Sequence, residues 1–389
     1  MGKAPGLVDV ARLAGVSHMT VSRVLNGHPM VKEATRQRVM AAVEELGYRR
    51  NSIARALRGD VSGTLGVVLA GEELFELSKV LLGIETAARD AGYWVNLAAW
   101  HGGSAEDLTE TVNRLIDQAV DGIAFVADRP MAAEALRSVN SRVPVAVVMS
   151  GAVSNERLAS VEIDQVSGAR AVTRHLLEMG HQRIVHLSGP LHVYDARARV
   201  LGFREEMAAA GLGEAVVLEG GFTPDSGYEL TVELLRSRAT EDADSKPNLM
   251  RAGRLHTTAG RSIAAMPTAV FAGNDMMALG CLKALTEAGL QVPHDVSLVG
   301  FDDSPGMTHL TPSLTTVRQN FTQLGTTVIE MLLEMLGGAQ PVHRLIPAEL
   351  IARDSVARPA PTVLPRAPQS AVPAGQKVFS EGSKPVVER

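Results

Sequence analysis

The stretch from Val8 to Gly27, VDVARLAGVSHMTVSRVLNG, constrains the fold more than any other part of the chain. Val8, Leu13 and Ala14 supply apolar positions for a short first helix, Gly15 permits a tight turn, and Ser17 can cap a second helix whose Val21, Val24 and Leu25 face inward. His18, Met19, Ser22 and Arg23 are left pointing outward from the N-terminal half of the second helix, the end that a helix-turn-helix presents to base edges in the major groove. An ordinary helical hairpin is the alternative, and local charge argues against it. Residues 1–59 hold ten basic and four acidic side chains, a net of +6; the whole chain carries −5, which leaves −11 for the remainder. A basic module ahead of an acidic body is the asymmetry expected when one end meets polyphosphate.

The 389 residues suffice for two or three domains, and 46% hydrophobic with 21% charged residues is the balance of a soluble globular protein with a sizeable core. No apolar run is long enough to span a bilayer and the N-terminus has no signal-peptide pattern, so no membrane partner is expected. The single cysteine, Cys281, excludes an internal disulfide, and a cytoplasmic location is expected.

Beyond the N-terminal module, short aliphatic runs recur at 64–70, 94–99, 122–126, 145–149, 184–187, 269–272 and 296–300, each followed by a longer helical pattern. This alternation predicts an α/β body of parallel sheets flanked by helices, and two sheets account for the length. Residues 49–61 read as a polar, basic linker containing one short helix. Residues 238–262 interrupt a helix-to-strand connection with a segment longer than a compact fold usually carries. The proline-rich tail reads as disordered.

The motif DVA-x-x-AGVS-x-x-TVSRV-x-N at 9–26, the third helix from Thr35 leading into Glu45-Leu-Gly-Tyr48, and Asn51-Ser-Ile-Ala-Arg-Ala-Leu57 together resemble the lactose/galactose repressor family of bacterial transcription regulators, and the resemblance extends over most of residues 1–355. It implies an all-α helix-turn-helix headpiece joined to a two-lobed, periplasmic-binding-protein-like body, with three crossing strands and a ligand between the lobes. The implied layout is a headpiece at 1–50, a hinge helix at 51–61, a core at 62–356 and a tail at 357–389. Within the core, the expected first lobe takes about 62–162 and 296–322, and the second about 163–295 and 323–356. The resemblance further implies DNA contacts from Ser17, His18, Met19, Thr20, Ser22, Arg23, Asn26, Thr35, Tyr48, Asn51, Ala54 and Leu57, with Leu57 wedged into the minor groove and the hinge helix forming only on operator.

No G-x-S-x-G elbow, phosphate loop or H-E-x-x-H motif is present, and one cysteine forbids a C-x-x-C site, so neither an enzyme, a cofactor nor a metal is expected. His175, His181, His186 and His192 read as structural histidines. Ligand residues are expected in loops at the carboxyl edges of strands, where open α/β sheets bind. Asn274 and Asp302 lie in such loops and match the family's ligand positions, whereas Asp275 reads as an N-cap and Asp303 as structural. Arg197 can fork hydrogen bonds onto vicinal hydroxyls and is read as the ligand arginine, with Arg199 as a surface charge. Phe222 and Phe75 are expected to wall the cleft, with packing as the alternative; Gln319 and Phe321 fall on an expected crossover. Paired polar groups with aromatic platforms suit a sugar, although a purine or an amino acid would use similar tools. Met149 stands where some sugar-binding relatives carry aspartate. The expected protein is a homodimeric regulator, a repressor of carbohydrate-use genes, binding double-stranded DNA at a pseudo-palindromic operator under a small-molecule effector. The rival is a sugar-binding sensor, transport protein or sugar-modifying enzyme without DNA binding.

Overall fold

The computed structural model describes residues 5–25, 28–48, 61–70, 77–100, 104–127, 136, 141–151, 158–213, 215–239 and 266–360. Three helices open the chain: α1 (Leu7–Ala14), α2 (His18–Leu25) and α3 (Glu33–Glu45). Asp9 accepts from the Gly6 amide at 2.9 Å to start α1, Gly15 ends it at φ 64°, and the Ser17 hydroxyl accepts from the Thr20 amide at 3.1 Å to start α2. The inner face of α1 is Val10, Ala11 and Ala14, packed on Val21, Val24, Val39 and Ala42. Val8 and Leu13, expected inside, are 62% and 45% exposed. The correction follows from helix period: positions 7, 10, 11 and 14 share one stripe, and 8 and 13 fall off it.

The first lobe is a six-stranded sheet in the order β11-β5-β4-β3-β1-β2, every neighbouring pair parallel. Its strands are β1 (Thr64–Ala70), β2 (Trp94–Trp100), β3 (Gly122–Ala127), β4 (Val145–Val148), β5 (Leu158–Ile163) and β11 (His343–Ile346). Helix α5 (Ala105–Asp117) covers one face through Leu108, Val112 and Leu115. On the other face lie α4 (Leu77–Asp90) and α10 (Phe321–Leu336). These two helices touch backbone to backbone: a Cβ on Gly83 would sit 2.3 Å from the Thr322 carbonyl oxygen, and one on Gly325 would sit 2.2 Å from that of Val80.

The second lobe is a parallel sheet in the order β7-β6-β8-β9, made of β6 (Ile184–Ser188), β7 (Val216–Glu219), β8 (Ala269–Ala272) and β9 (Ser297–Val299). Helices α6 (Gln165–Glu178) and α7 (Tyr194–Ala209) pack on one face and α8 (Pro224–Ala239) and α9 (Asp275–Glu287) on the other. An antiparallel pair, β10 (Thr316–Arg318) with β12 (Glu349–Ile351), adjoins this lobe.

The lobe boundaries differ from expectation. Residues 297–299 pair with β8 and so belong to the second lobe, while α10 and β11, expected there, complete the first through the glycine-lined contact with α4 and the pairing of β11 with β5. The chain therefore crosses between lobes at Asp164, at Gln319–Asn320 and at Pro347–Ala348. Residue 357, expected in the tail, is part of the body: His181 Nε2 lies 2.9 Å from the Ala357 carbonyl, and the Ala357 amide donates to Ser297 Oγ at 3.0 Å. The expected hinge helix, nearly all of the 238–262 segment and the tail from 361 lie outside the described residues.

Candidate functional site

On the headpiece, His18, Met19 and Arg23 are exposed and Ser22 and Thr20 are half-buried along one side of α2. Ser17 is engaged at the helix start, with its Oγ 2.9 Å from Thr20 Oγ1. Thr35 is half-buried in the first turn of α3, and Tyr48 packs against the headpiece core. Asn26, Asn51, Ala54 and Leu57 lie outside the described residues, as does Phe75.

A cavity of about 360 Å³ opens between the lobes, lined by both. That volume falls in the range of small-molecule sites. From the first lobe come Leu77, Val80, Met149, Glu162, Phe321 and Leu324; from the second come His192, Asp195, Arg199, Phe222, Asn274 and Asp302; Gln165 and Gln319 enter at two of the crossings. Asn274, Asp302, Phe222, Gln319 and Phe321 are thus brought together as the sequence suggests. Arg197 is not among the cavity residues. It is exposed, with its guanidinium 4.6 Å from the Tyr194 ring.

Arg199, read from sequence as a surface charge, is 4% exposed and occupies the cavity wall. Its Nε donates to Gln165 Oε1 at 2.9 Å and its Nη1 to the Gly273 carbonyl at 2.5 Å. Nη2 lies 3.6 Å from Asp302 Oδ1 and 3.9 Å from Asp195 Oδ2. The guanidinium stacks 4.0 Å from the Phe301 ring and stands 5.6 Å from Phe222. Gln165 Nε2 donates to Gln319 Oε1 at 2.6 Å, and Gln319 Nε2 donates to Asp302 Oδ1 at 2.5 Å. One hydrogen-bonded chain therefore ties two interlobe crossings to the arginine and carboxylate at the cavity wall. Every member is nearly buried, and in a low dielectric such a network holds its geometry firmly.

Asn274, not Asp275, caps α9: its Oδ1 accepts from the Met277 amide at 2.8 Å while its Nδ2 donates to the Phe222 carbonyl at 3.2 Å. Cap and cavity wall are the same residue, and through it α9 holds the main chain of Phe222. The Phe222 ring packs directly against Gly189, where a Cβ would meet it at 2.2 Å. Asp303 is structural as expected: burial is the largest single effect on its carboxyl and pushes it up, but the hydrogen bonds and charges of Arg353 and Arg318 together outweigh it and hold the group below the usual range. Glu162, Gln165, Asp195 and His192 were missed as site residues. Gln165 and Glu162 flank the crossing at Asp164, and only knowledge of where the chain changes lobes would have singled them out. The wall offers carboxylate and amide oxygens for ligand hydroxyls, a guanidinium, and aromatic and aliphatic faces.

Residues 6–51 match the family described as bacterial regulatory proteins, lacI family; residues 62–244 match the periplasmic binding proteins and sugar binding domain of the LacI family, and residues 173–356 match the periplasmic binding protein-like domain. The chain is 31% identical to the lactose operon repressor of Escherichia coli K12 over 364 residues, covering 93% of each chain. It is 32% identical to the transcriptional repressor PurR of Haemophilus influenzae, covering 90% of this chain and 97% of that one. The chain belongs to the LacI family. Among solved structures, the Lac repressor dimer bound to operator and the anti-inducer ONPF superposes with a TM-score of 0.76 at 30% identity, covering 91% of this chain and all of that one. The complex of the regulator CelR with cellobiose gives a TM-score of 0.62 at 31% identity, covering 90% and 99%. As a LacI-family protein the chain is a DNA-binding transcriptional regulator and not an enzyme. Among the described residues, no helix is long and apolar enough to cross a membrane, and no cluster of His, Cys, Asp and Glu could hold a metal ion.

Proposed function

We propose that this LacI-family regulator is a cytoplasmic homodimer that represses carbohydrate-use genes from a pseudo-palindromic operator and is controlled by a sugar bound in the interlobe cavity. The observation that carries the effector part is the buried chain Gln165–Gln319–Asp302–Arg199, which puts hydrogen-bonding groups at the cavity wall in direct contact with two interlobe crossings. A ligand that engages Asp302 or Arg199 acts on the segments that set the angle between lobes, and differential binding to two lobe arrangements is what allosteric control requires. Arg199 takes the ligand-arginine role first given to Arg197, and Glu162, Asp195, Phe222 and Asn274 complete the polar and aromatic wall.

The DNA part rests on the exposed face of α2. His18, Met19 and Arg23 read base edges, Arg23 by a bidentate contact to guanine; Ser17, Thr20, Ser22, Asn26, Thr35, Tyr48 and Asn51 position the headpiece, and Ala54 and Leu57 act at the operator centre. The test is fluorescence anisotropy of the full chain on DNA flanking its own gene, with and without a panel of mono- and disaccharides. Binding that is specific, steeply salt-dependent and altered by one sugar supports the reading. Sugar binding without any DNA binding would favour the transport or sensor class instead.

A further inference from the structure

Asp302 and Asp303 are consecutive non-glycine residues with φ of 110° and 51°. Such backbone is unfavourable for a residue with a side chain and persists only where the surroundings over-determine it. Asp302 supplies the carboxylate that faces the cavity, so whatever enforces this loop also aims the site. We propose that Asp275 is the positioning residue of the effector site: its buried carboxylate ties the residue just after the strained pair to β10 while its backbone amide holds the residue just before the pair, and together these fix where Asp302 points.

The geometry carries this. Asp275 Oδ2 accepts from the Ser304 amide at 2.7 Å, immediately after the strained pair, and Oδ1 accepts from Thr316 Oγ1 at 2.6 Å, on the strand that leads into the crossing at Gln319. The Asp275 amide donates to the Phe301 carbonyl at 2.8 Å, just before the pair, and the Phe301 ring is the platform under Arg199. Gly300 is required for this approach, since a Cβ there would lie 2.1 Å from Asp275 Oδ1. A plain helix N-terminal acid is the simpler account of Asp275, but that role leaves the carboxylate near its own helix. Here both oxygens are given to other segments, and the cap of α9 is supplied by Asn274. Asp275 is fully buried and does not line the cavity, so it acts through Asp302.

Burial pushes the Asp275 carboxyl up to about 6, opposed by the Thr316 and Ser304 hydrogen bonds. Of the charged groups facing it, Asp303 on the same loop pushes it further up and Arg353, which follows β12, draws it down; Arg318 on β10 reaches it only by way of Asp303. The proposal rests on the interlobe cavity being the effector site, but its test needs no effector. In nitrogen-15 spectra of the full chain, the Ser304 amide and the Gln319 side-chain amide should titrate together with a midpoint near pH 6, and Asp275→Asn should flatten both between pH 5 and 7.5. Thr316→Val, which removes one bond to the ionised form, should move the shared midpoint upward, and it serves alone if Asp275→Asn does not fold. A Gln319 signal that ignores the Ser304 titration, or a midpoint unchanged in Thr316→Val, overturns the proposal. Failure of the cavity reading itself would show separately, as an Arg199→Ala protein whose DNA binding still answers to sugar.

Discussion

At the scale of single residues, helix phase decides which arginine meets the cavity: Arg199 is buried in its wall and Arg197 faces solvent. Arg197 and Arg199 lie on one helix, where a two-residue step is a rotation of about 200°, so choosing one or the other chooses opposite faces. Nothing in the local pattern separates them; only the docking of α7 on α6 buries Arg199. Arg199→Ala should abolish the effector response, and because it removes the guanidinium beside the buried Asp302 carboxylate, which keeps its bond from Gln319, it should also destabilise the protein in urea unfolding, by about 3 kcal/mol at most. Arg197→Ala should alter neither, and a lost response in that variant would restore the original assignment. Asn274 takes the cap expected of Asp275 while keeping its place in the cavity wall: two polar residues at a helix start are legible as a cap, but which one turns inward depends on Thr316 and Ser304, far along the chain. His186, stacked 4.2 Å from Phe271 and wholly buried, is held down to about 4, chiefly by burial. An unfolded chain takes up that proton near 6.5, so this group lowers stability as pH falls from about 6.5 towards 4. Asp275, raised to about 6, has the opposite sign, and its contribution is lost as pH rises through that value. His186→Gln should therefore flatten the acid-side loss of stability measured by urea titration at pH 7 and pH 5, and an unchanged slope would show that other groups dominate.

At the scale of elements, length and sheet membership decide what the sequence pattern makes visible. Seven aliphatic runs match strands: six because parallel strands buried on both faces are nearly continuous in aliphatic residues, and β2 because it is largely apolar although it lies at an edge. β10 and β12 are three residues long and carry no such run, β7 offers only Val216–Leu218, β5 is interrupted by Ser160 and Glu162, and β11 alternates as an edge strand. The assignment of 297–299 and of α10 to lobes failed because sequence shows that a strand or helix exists, not which sheet receives it. The physical answer for α10 is its seam with α4, where Gly83 and Gly325 let the backbones meet. Gly325→Ala tests the seam by setting two effects against each other. Alanine gains roughly 1 kcal/mol of intrinsic helix propensity. Its Cβ would stand 2.2 Å from the Val80 carbonyl oxygen, a contact with backbone that has no room to yield, and overpacking costs about 1–3 kcal/mol. The clash should win, giving a lower melting temperature; a rise would mean that the helices can part freely.

For the molecule as a whole, charge and surface divide the labour in a way composition had already indicated. The +6 of residues 1–59 against −11 elsewhere predicts that DNA affinity falls steeply between low and physiological salt, while Arg23→Ala weakens the preferred site by about 1–3 kcal/mol and random DNA hardly at all. Dimerisation was expected from the family resemblance without a surface to assign it to. In the sheet order β2 is an edge, and Trp94 on it is 80% exposed, with Leu97 and the α4 residue Leu82 also more than half exposed. Among the described residues no strand pairs with this edge; a sheet edge carrying an exposed tryptophan is an aggregation liability, and a second copy related by a two-fold axis would cover it with the same patch on each side. Half-sites of a palindromic operator can be engaged together only by two headpieces. Trp94→Lys should accordingly shift the protein towards monomer in sedimentation at micromolar concentration without lowering its helical content, and should weaken operator binding at least tenfold, about 1.4 kcal/mol. Sugar affinity should be unchanged, because Trp94 does not line the cavity. A Trp94→Lys protein that sediments as a dimer and binds operator normally would place the subunit contact on another face.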